Sequence, residues 1–358
     1  MNGAGIQEEL RRRIRSREFE PGSRIPSLRE LSKDFEVSHA LVQQAVNVLV
    51  GQGYLNSQAG RGTFVPESLV AGKTVALVLP SLGPEHMRDI IRGVKAGLGD
   101  DSYRLLLQAA DSDYSQELQL LEGLTDALVA GAIVYPPPYA RYAKQLAELV
   151  QGRQLPTVLV DTELPGLEVD AVTTHREQLG RKAVEHLVEC GHTRIGILGK
   201  DADSTSQELM RQGMAQMLEE AGIDFAALPR VRVPVGKAER AAAERRPARA
   251  VREFLSEHRE LTAVVAVDDG LGVQCLQMAR RLGLRIPEDL SLVVIGDIKA
   301  YEVVDPPVTA VRQPHLEIGR AAAERLLQRL AGDTSPAQSS WLRPELIVRG
   351  SVRKLSEE

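Results

Sequence analysis

The sequence predicts an α/β protein in two unlike parts: a small N-terminal winged helix-turn-helix and a long body built on two parallel sheets. Three features point there. Residues 21–65, PGSRIPSLRELSKDFEVSHALVQQAVNVLVGQGYLNSQAGRGTFV, order a capped helix, a short turn, a second capped helix and two short strands around a Gly-Arg-Gly tip. From Lys73 onward, apolar strand-like runs alternate with amphipathic helices. Charge divides the same way: through Pro66 nine Lys and Arg stand against seven Asp and Glu, and the remainder has thirty-five against forty-two.

Ser27 followed by Glu30 reads as a capping box, with Pro26 fixing the entry. Leu28, Leu31 and Phe35 then fall on one helical face. Glu36-Val37 makes a tight turn, and Ser38 caps the next helix. There Leu41, Val42, Ala45, Val46, Val48 and Leu49 form an inward stripe, leaving His39, Ala40, Gln43, Gln44 and Asn47 outside. The first residues of such a helix reach base edges in the major groove, where Gln and Asn pair with adenine. Segments 54–58 and 63–65 flank Ala59-Gly60-Arg61-Gly62, a hairpin whose Arg61 suits a minor groove or a phosphate. A head this weakly basic needs two copies for firm DNA binding, so a homodimer is expected.

Over residues 6–66 this segment resembles the GntR family of bacterial regulators, whose head carries PG..LPS.REL....VSR.TVR.A...L...G......GRGTFV. The resemblance implies that Arg29 contacts DNA, that Ser38, His39 and Ala40 open the recognition helix, and that Arg61 and Gly62 form the wing tip. His39 and Gln43 stand where the family has Arg, and Leu41 where it has Thr. The family's operator preference therefore does not transfer, and fewer fixed charges imply a shallower salt dependence.

In the body, strands are expected at 74–79, 104–109, 131–135, 156–160, 171–173, 194–198, 263–267 and 291–295. Helices are expected at 86–97, 115–127, 176–190, 207–221 and 272–282. Near-continuous Val/Ile/Leu strands separated by helices indicate parallel sheets covered on both faces. Ligands of open parallel sheets bind at the carboxyl ends of the strands. The polar residues just there are Ser81, Tyr135, Asp161, Asp268, Asp269 and Asp297.

Residues 73–353 resemble the sensing part of LacI/GalR-type repressors, a two-lobed periplasmic-binding-protein-like fold (type I). The matching stretches are AVTTHREQLGRKAVEHLVECGHTRIGILG, MRQGMAQMLEEAG, LTAVVAVDDGLGVQCLQMARRLGLRIPEDLSLVVIGD and DPPVTAVRQPHLEIGRAAAERLLQRL. The resemblance implies Arg211 on sugar hydroxyls, Asp269 as the Asp of an Asn-Asp pair with Asp268 replacing the Asn, and Asp297 near the family's Gly-Phe-Asp-Asp, where this chain has Gly296-Asp297-Ile298. His175, after the expected crossover between lobes, is a further candidate. Asp268 and Asp269 equally suit a helix cap, Arg211 a solvated face, and Tyr135 and Tyr301 hinge packing. Where relatives place aromatics after the first strand, Gly83-Pro84-Glu85-His86-Met87 stands. With 4% aromatics, hydrogen bonding to hydroxyls is favoured over ring stacking.

The expected division is a head at 1–66, a linker at 67–72 and a body at 73–358. Its first lobe takes about 73–165 with 308–331, and its second about 170–305 with 340–353. Gly72-Lys73-Thr74 is no phosphate loop, because it precedes its strand. Asp111-Ser112-Asp113 lacks the rest of a calcium loop. The Ala/Glu/Arg-rich run 237–252 reads as a solvated helix, and Cys190 and Cys275 as reduced fillers in apolar helices. No signal peptide, apolar run of 18 residues, hydrolase elbow or metal motif is present, so the expectation is a cytoplasmic, non-membrane protein that binds without catalysing and needs no cofactor. That makes it a transcriptional regulator, by the resemblance a repressor of carbohydrate-related genes, partnered by operator DNA and a small polar, sugar-like effector. The alternative is the same head fused to an α/β enzyme body.

Overall fold

A computed structural model describes residues 2–15, 18–51, 54–58, 60–66, 74–99, 103–110, 114–124, 129–137, 140–153, 155–164, 166–201, 205–234 and 245–355. The expected linker 67–72, the segment 111–113, Ala59 of the hairpin tip and residues 237–244 of the Ala/Glu/Arg-rich run lie outside the described residues.

The head opens with α1 (Gly3–Arg15), which buries Ile6 and Leu10. Next, α2 (Leu28–Asp34) starts at a complete capping box: Glu30 N donates to Ser27 Oγ at 3.3 Å, and Ser27 N donates to Glu30 Oε2 at 2.7 Å. Glu36, at φ +53°, turns the chain into α3 (His39–Gly51). That helix buries Val42, Ala45, Val46 and Leu49, while Leu41 and Val48 are only half-buried. Each Val or Leu side chain so buried stabilises the head by about 1.5–3 kcal/mol. Strands β1 (Asn56–Gln58) and β2 (Gly62–Phe64) pair antiparallel, and Arg24 bridges to Phe64 at the edge.

The body runs β3 (Thr74–Leu79), α4 (Glu85–Leu98), β4 (Arg104–Ala109), α5 (Tyr114–Gly123), β5 (Gly131–Val134), α6 (Ala140–Arg153), β6 (Thr157–Val160) and β7 (Asp170–Thr174). It continues through α7 (Arg176–Glu189), β8 (Ile195–Asp201), α8 (Thr205–Glu220), β9 (Arg230–Pro234), α9 (Arg245–Glu257), β10 (Ala263–Ala266), α10 (Asp269–Arg281), β11 (Ser291–Ile295), α11 (Ala300–Val303) and β12 (Thr309–Arg312). Last come α12 (His315–Leu330), β13 (Ser339–Leu342) and β14 (Glu345–Ile347). One six-stranded sheet has the order β13-β7-β6-β5-β3-β4, parallel throughout. The other has the order β14-β12-β11-β10-β8-β9, parallel except for β14. Central strands such as β5, β6 and β10 are buried along their whole length, as strands covered on both faces must be.

The lobe boundaries differ from expectation in a regular way. The chain changes lobe after β7, after β12 and after β13, each one strand later than the sequence division placed it. Residues 170–174 and 339–342 therefore belong to the first sheet, and 309–312 to the second. The ladders decide this: β7 takes its bonds from β6, β13 from β7, and β12 from β11. A composition break at 161–169 marks only the loop that returns the chain to the same sheet.

Each lobe clamps two helices together through glycine. In the first, α4 meets α12 so closely that a Cβ on Gly93 would lie 2.0 Å from the Leu316 carbonyl oxygen. In the second, α7 meets α8, and a Cβ on Gly213 would lie 1.9 Å from the Glu177 carbonyl oxygen. The described part of the Ala/Glu/Arg-rich run, residues 245–252, lies in α9, which buries Val251 and, just beyond the run, Phe254 and Leu255. Cys275 is fully buried, and burial pushes its thiol up to about 12, so it acts as an inert filler. No helix among the described residues is long and apolar enough to cross a membrane.

Because backbone atoms face the missing Cβ, neither helix of the α7–α8 pair can yield without moving as a whole. Gly213→Ala is expected to cost about 1–3 kcal/mol, the usual range for overpacking. The shift in urea midpoint, with the operator-binding head unaffected, checks this.

Candidate functional site

On the head, His39, Ala40, Gln43, Gln44, Asn47 and Val48 line one continuous outward face of α3. Gln43 Nε2 donates to Asn47 Oδ1 at 2.9 Å, which steadies two amide side chains one turn apart. Ser38 caps weakly, its Oγ accepting from Leu41 N at 3.4 Å. Arg29 and Arg61 are exposed and make no ion pair among the described residues. Gly62 keeps the hairpin close to Arg24: at φ +115°, a Cβ there would lie 2.4 Å from Arg24 Nε. Arg24 thus joins Arg61 beside the hairpin as a third uncommitted cation that sequence reasoning passed over. By contrast Arg12 and Arg13 on α1 are spent on Glu9, whose carboxyl those hydrogen bonds hold down at about 2.

Between the lobes lies a cleft of about 840 Å³. Tyr135 after β5, Asp161 after β6, Asp268 and Asp269 after β10 and Asp297 after β11 all line it, at the carboxyl ends of the strands. Three other expected residues do not. Ser81 lies outside the lining. His175 precedes α7, its backbone N–H bonded to the Leu342 carbonyl and its Nδ1 3.3 Å from Glu177. Arg211 pairs with Glu208 at 2.6 Å and lies over the Phe225 ring. One residue is about 100° of helix, and it is Met210, one position earlier, that faces the cleft.

The three strand-end acids differ in what they are free to do. Asp268 caps α10, accepting from Leu271 N at 2.7 Å, and pairs with Lys200. The Asp297 side chain is 2% exposed and held by Arg312 at 2.6 Å and Arg349 at 2.8 Å. The Asp269 carboxylate accepts no hydrogen bond and makes no ion pair among the described residues, and its Oδ1 is buried, while the Asp269 backbone carbonyl accepts from Tyr301 Oη at 2.7 Å. Burial, then Asp297 and Glu85, push its carboxyl up to about 7 against the opposing pull of Lys200.

A polar knot closes the hinge. Arg176 donates to Asp161 Oδ1 at 2.8 Å, to the Asp161 carbonyl and to Gln313 Oε1 at 2.7 Å. Tyr135 Oη donates to the other Asp161 oxygen, and His315 Nε2 stands 3.8 Å from Asp161. Burial works to raise the Asp161 carboxyl, but Arg176, His315 and Tyr135 outweigh it and hold it below the usual range. Burial raises the Tyr135 phenol, with Asp161 adding to it. His86 and His315 stack with ring centroids 4.9 Å apart, and burial lowers both, His315 to about 4. At the mouth, Lys299 N donates across the cleft to Glu85 Oε2 at 2.9 Å. His86, Arg176, Gln313 and His315 were missed in the sequence because each sits at a crossover or helix start whose partners lie in another stretch of chain, and Lys200 because it lies within β8 and meets Asp268 only in the fold. Among the described residues no group of His, Cys, Asp and Glu is arranged to hold a metal ion.

A DNA-reading head joined to a two-lobed cleft defines a one-chain transcriptional regulator. Residues 2–65 match the family of bacterial regulatory proteins named for gntR, and residues 184–352 match the periplasmic binding protein-like domain. The arabinose metabolism transcriptional repressor of Geobacillus stearothermophilus is 28% identical over 359 residues, 98% of this chain and 97% of that protein. The transcriptional repressor CytR of Escherichia coli K12 is 27% identical, covering 91% of this chain and 92% of its own. A LacI family regulator from Mycobacterium smegmatis superposes with a TM-score of 0.64 at 26% identity, over 78% of this chain and 99% of that structure. The chain is a DNA-binding transcriptional regulator of this two-domain kind and not an enzyme. The expected enzyme-body alternative falls, since relatives aligned along nearly the whole chain are repressors.

Two outcomes are expected of this geometry. Arg61→Ala should weaken operator binding alike on all sequences and reduce the slope of log K against log salt by about one, measured by fluorescence anisotropy. His315 titrates near 4 when folded and near 6.5 when unfolded, so below pH 6.5 the unfolded chain takes up a proton the folded one refuses. The His315 contribution is intact above pH 6.5 and is lost toward pH 4, with roughly 2–3 kcal/mol of it gone at pH 4.5. His315→Gln should therefore lose less stability than the parent between pH 7.5 and 4.5 in urea titrations.

Proposed function

We propose that this protein is a cytoplasmic, homodimeric repressor of carbohydrate-related genes whose operator affinity is set by a sugar-like effector in the inter-lobe cleft. The observation that carries the proposal is the cleft itself. It lies at the strand ends of two parallel sheets, is spanned by three chain crossovers and is lined by hydrogen-bonding groups from both lobes. The DNA contacts are assigned to Arg29, Ser38, His39, Ala40, Gln43, Gln44 and Arg61, with Gly62 holding the wing tip in shape. The effector contacts are assigned to Tyr135, Asp268, Asp269 and Asp297, joined by Arg176 and the His86–His315 pair. The name of the Geobacillus relative supports a carbohydrate, and a pentose is the first to try. Two heads compensate for the few cations each one presents. A change in lobe angle on effector binding would alter the spacing of the paired heads and so release the operator.

Anisotropy titrations with fragments from upstream of the protein's own gene, with and without a sugar panel, test the proposal. A regulatory sugar should weaken operator binding by 5- to 150-fold, and the operator should weaken sugar binding by the same factor, as linkage requires. Operator binding that ignores every carbohydrate would leave a regulator without the proposed input.

A further inference from the structure

Nine carboxylates and six Lys or Arg side chains line the cleft, and the cations are almost all spoken for. Arg176 is neutralised by Asp161, Lys200 by Asp268 and Arg312 by Asp297 at 2.6 Å. Arg92 lies 3.5 Å from Asp89, and Lys299 lies 3.9 Å from Glu302. Arg343 makes no ion pair among the described residues, but it is exposed. The two stacked imidazoles add no charge at neutral pH, because burial keeps both below their ordinary range. On the acidic side, the Asp269 carboxylate has no hydrogen-bond or ion-pair partner among the described residues and lies among Asp297 and Glu85. The one donor left without a partner near the hinge is Arg176 Nε, on a guanidinium whose charge Asp161 already balances.

We infer that the cleft selects its effector by charge, accepting an uncharged or cationic, hydroxyl-rich molecule and rejecting anionic sugars such as phosphate esters and uronates. Two residues of the lining keep a buried side-chain atom without a partner among the described residues: an acceptor, Asp269 Oδ1, and a donor, Arg176 Nε. A neutral polyol satisfies both with a hydroxyl proton and a hydroxyl oxygen. An anion would find no uncommitted buried cation and would have to enter against unpaired carboxylate. An amine in place of one hydroxyl would instead gain from Asp269. The inference rests on the proposed sugar-sensing role and narrows it to one class.

The test is calorimetry on the full chain at pH 8, where Asp269 is ionised, with matched sets differing at one position. One set is galactose, galactosamine, galacturonate and galactose 6-phosphate; the glucose set is parallel, and ribose and arabinose stand beside their 5-phosphates. Every binder is expected to be neutral or cationic, with the uronate and phosphate at least tenfold weaker than their own parent sugar. Asp269→Asn, with operator binding as a check of folding, should reduce discrimination against the uronate at least threefold. A uronate or phosphate ester that equals or beats its neutral parent overturns charge selection and leaves the sugar-sensing role standing. Unchanged discrimination in the Asn variant overturns the part assigned to Asp269. Failure of every set to bind overturns the inference together with the role it rests on.

Discussion

The body depends on one buried ion pair, Asp161 with Arg176. Asp161 directly follows β6 of the first sheet and Arg176 opens the first helix of the second lobe, so the pair bridges the two sheets at their hinge. Burying two charges is costly unless every remaining hydrogen-bonding position is used. Here nearly all are: Tyr135 takes one carboxylate oxygen, Gln313 takes the guanidinium from a second crossover, and Thr174 shares Gln313 at 3.2 Å. Asp161 even holds a left-handed backbone, φ +61°, which brings its carbonyl to Arg176. Such a knot contributes direction more than net stability. It dictates how the lobes meet and therefore where every other cleft residue points.

The surrounding acids follow from the same economy. A strand that ends at a ligand site must also start a helix or a turn, and the polar residues there serve both needs. Asp268 and Asp297 are consumed by those local duties, one as a helix cap and the other as an anchor for two arginines. The head shows the parallel case, with Arg12 and Arg13 satisfied within α1 and α2 by Glu9 and Asp34. In both domains the formal charge count overstates what is free to meet a partner.

Much of the fold was readable in the sequence because its signals are local. The Ser27–Glu30 box, the Val42/Ala45/Val46/Leu49 stripe and the runs at 74–79 and 291–295 each need only neighbouring residues to be recognised. The site was readable only where strand ends announce it, as at Tyr135, Asp269 and Asp297. Arg211 misled because a helical register one residue off exchanges an inward position for an outward one, here Met210 for Arg211. Gln313 and His315 gave no sign, since their significance comes from Arg176, 137 positions earlier, and from Asp161, which lies earlier still. The crossovers were misplaced for a related reason. A loop looks the same whether the chain beyond it rejoins the old sheet or enters the new one.

Three passages between the lobes have a consequence for synthesis. The head is contiguous, ending by residue 66, and has all of its core once those residues have emerged. Neither lobe of the body is contiguous. The first lacks α12, which packs on α4, and its edge strand β13; the second lacks β12 and then β14. Ser351, whose hydroxyl donates to the Leu292 carbonyl at 2.6 Å, must arrive before β11 is fully bonded. On the ribosome, a finished DNA-binding module thus waits on a body whose two sheets close together, late, under the same final stretch of chain.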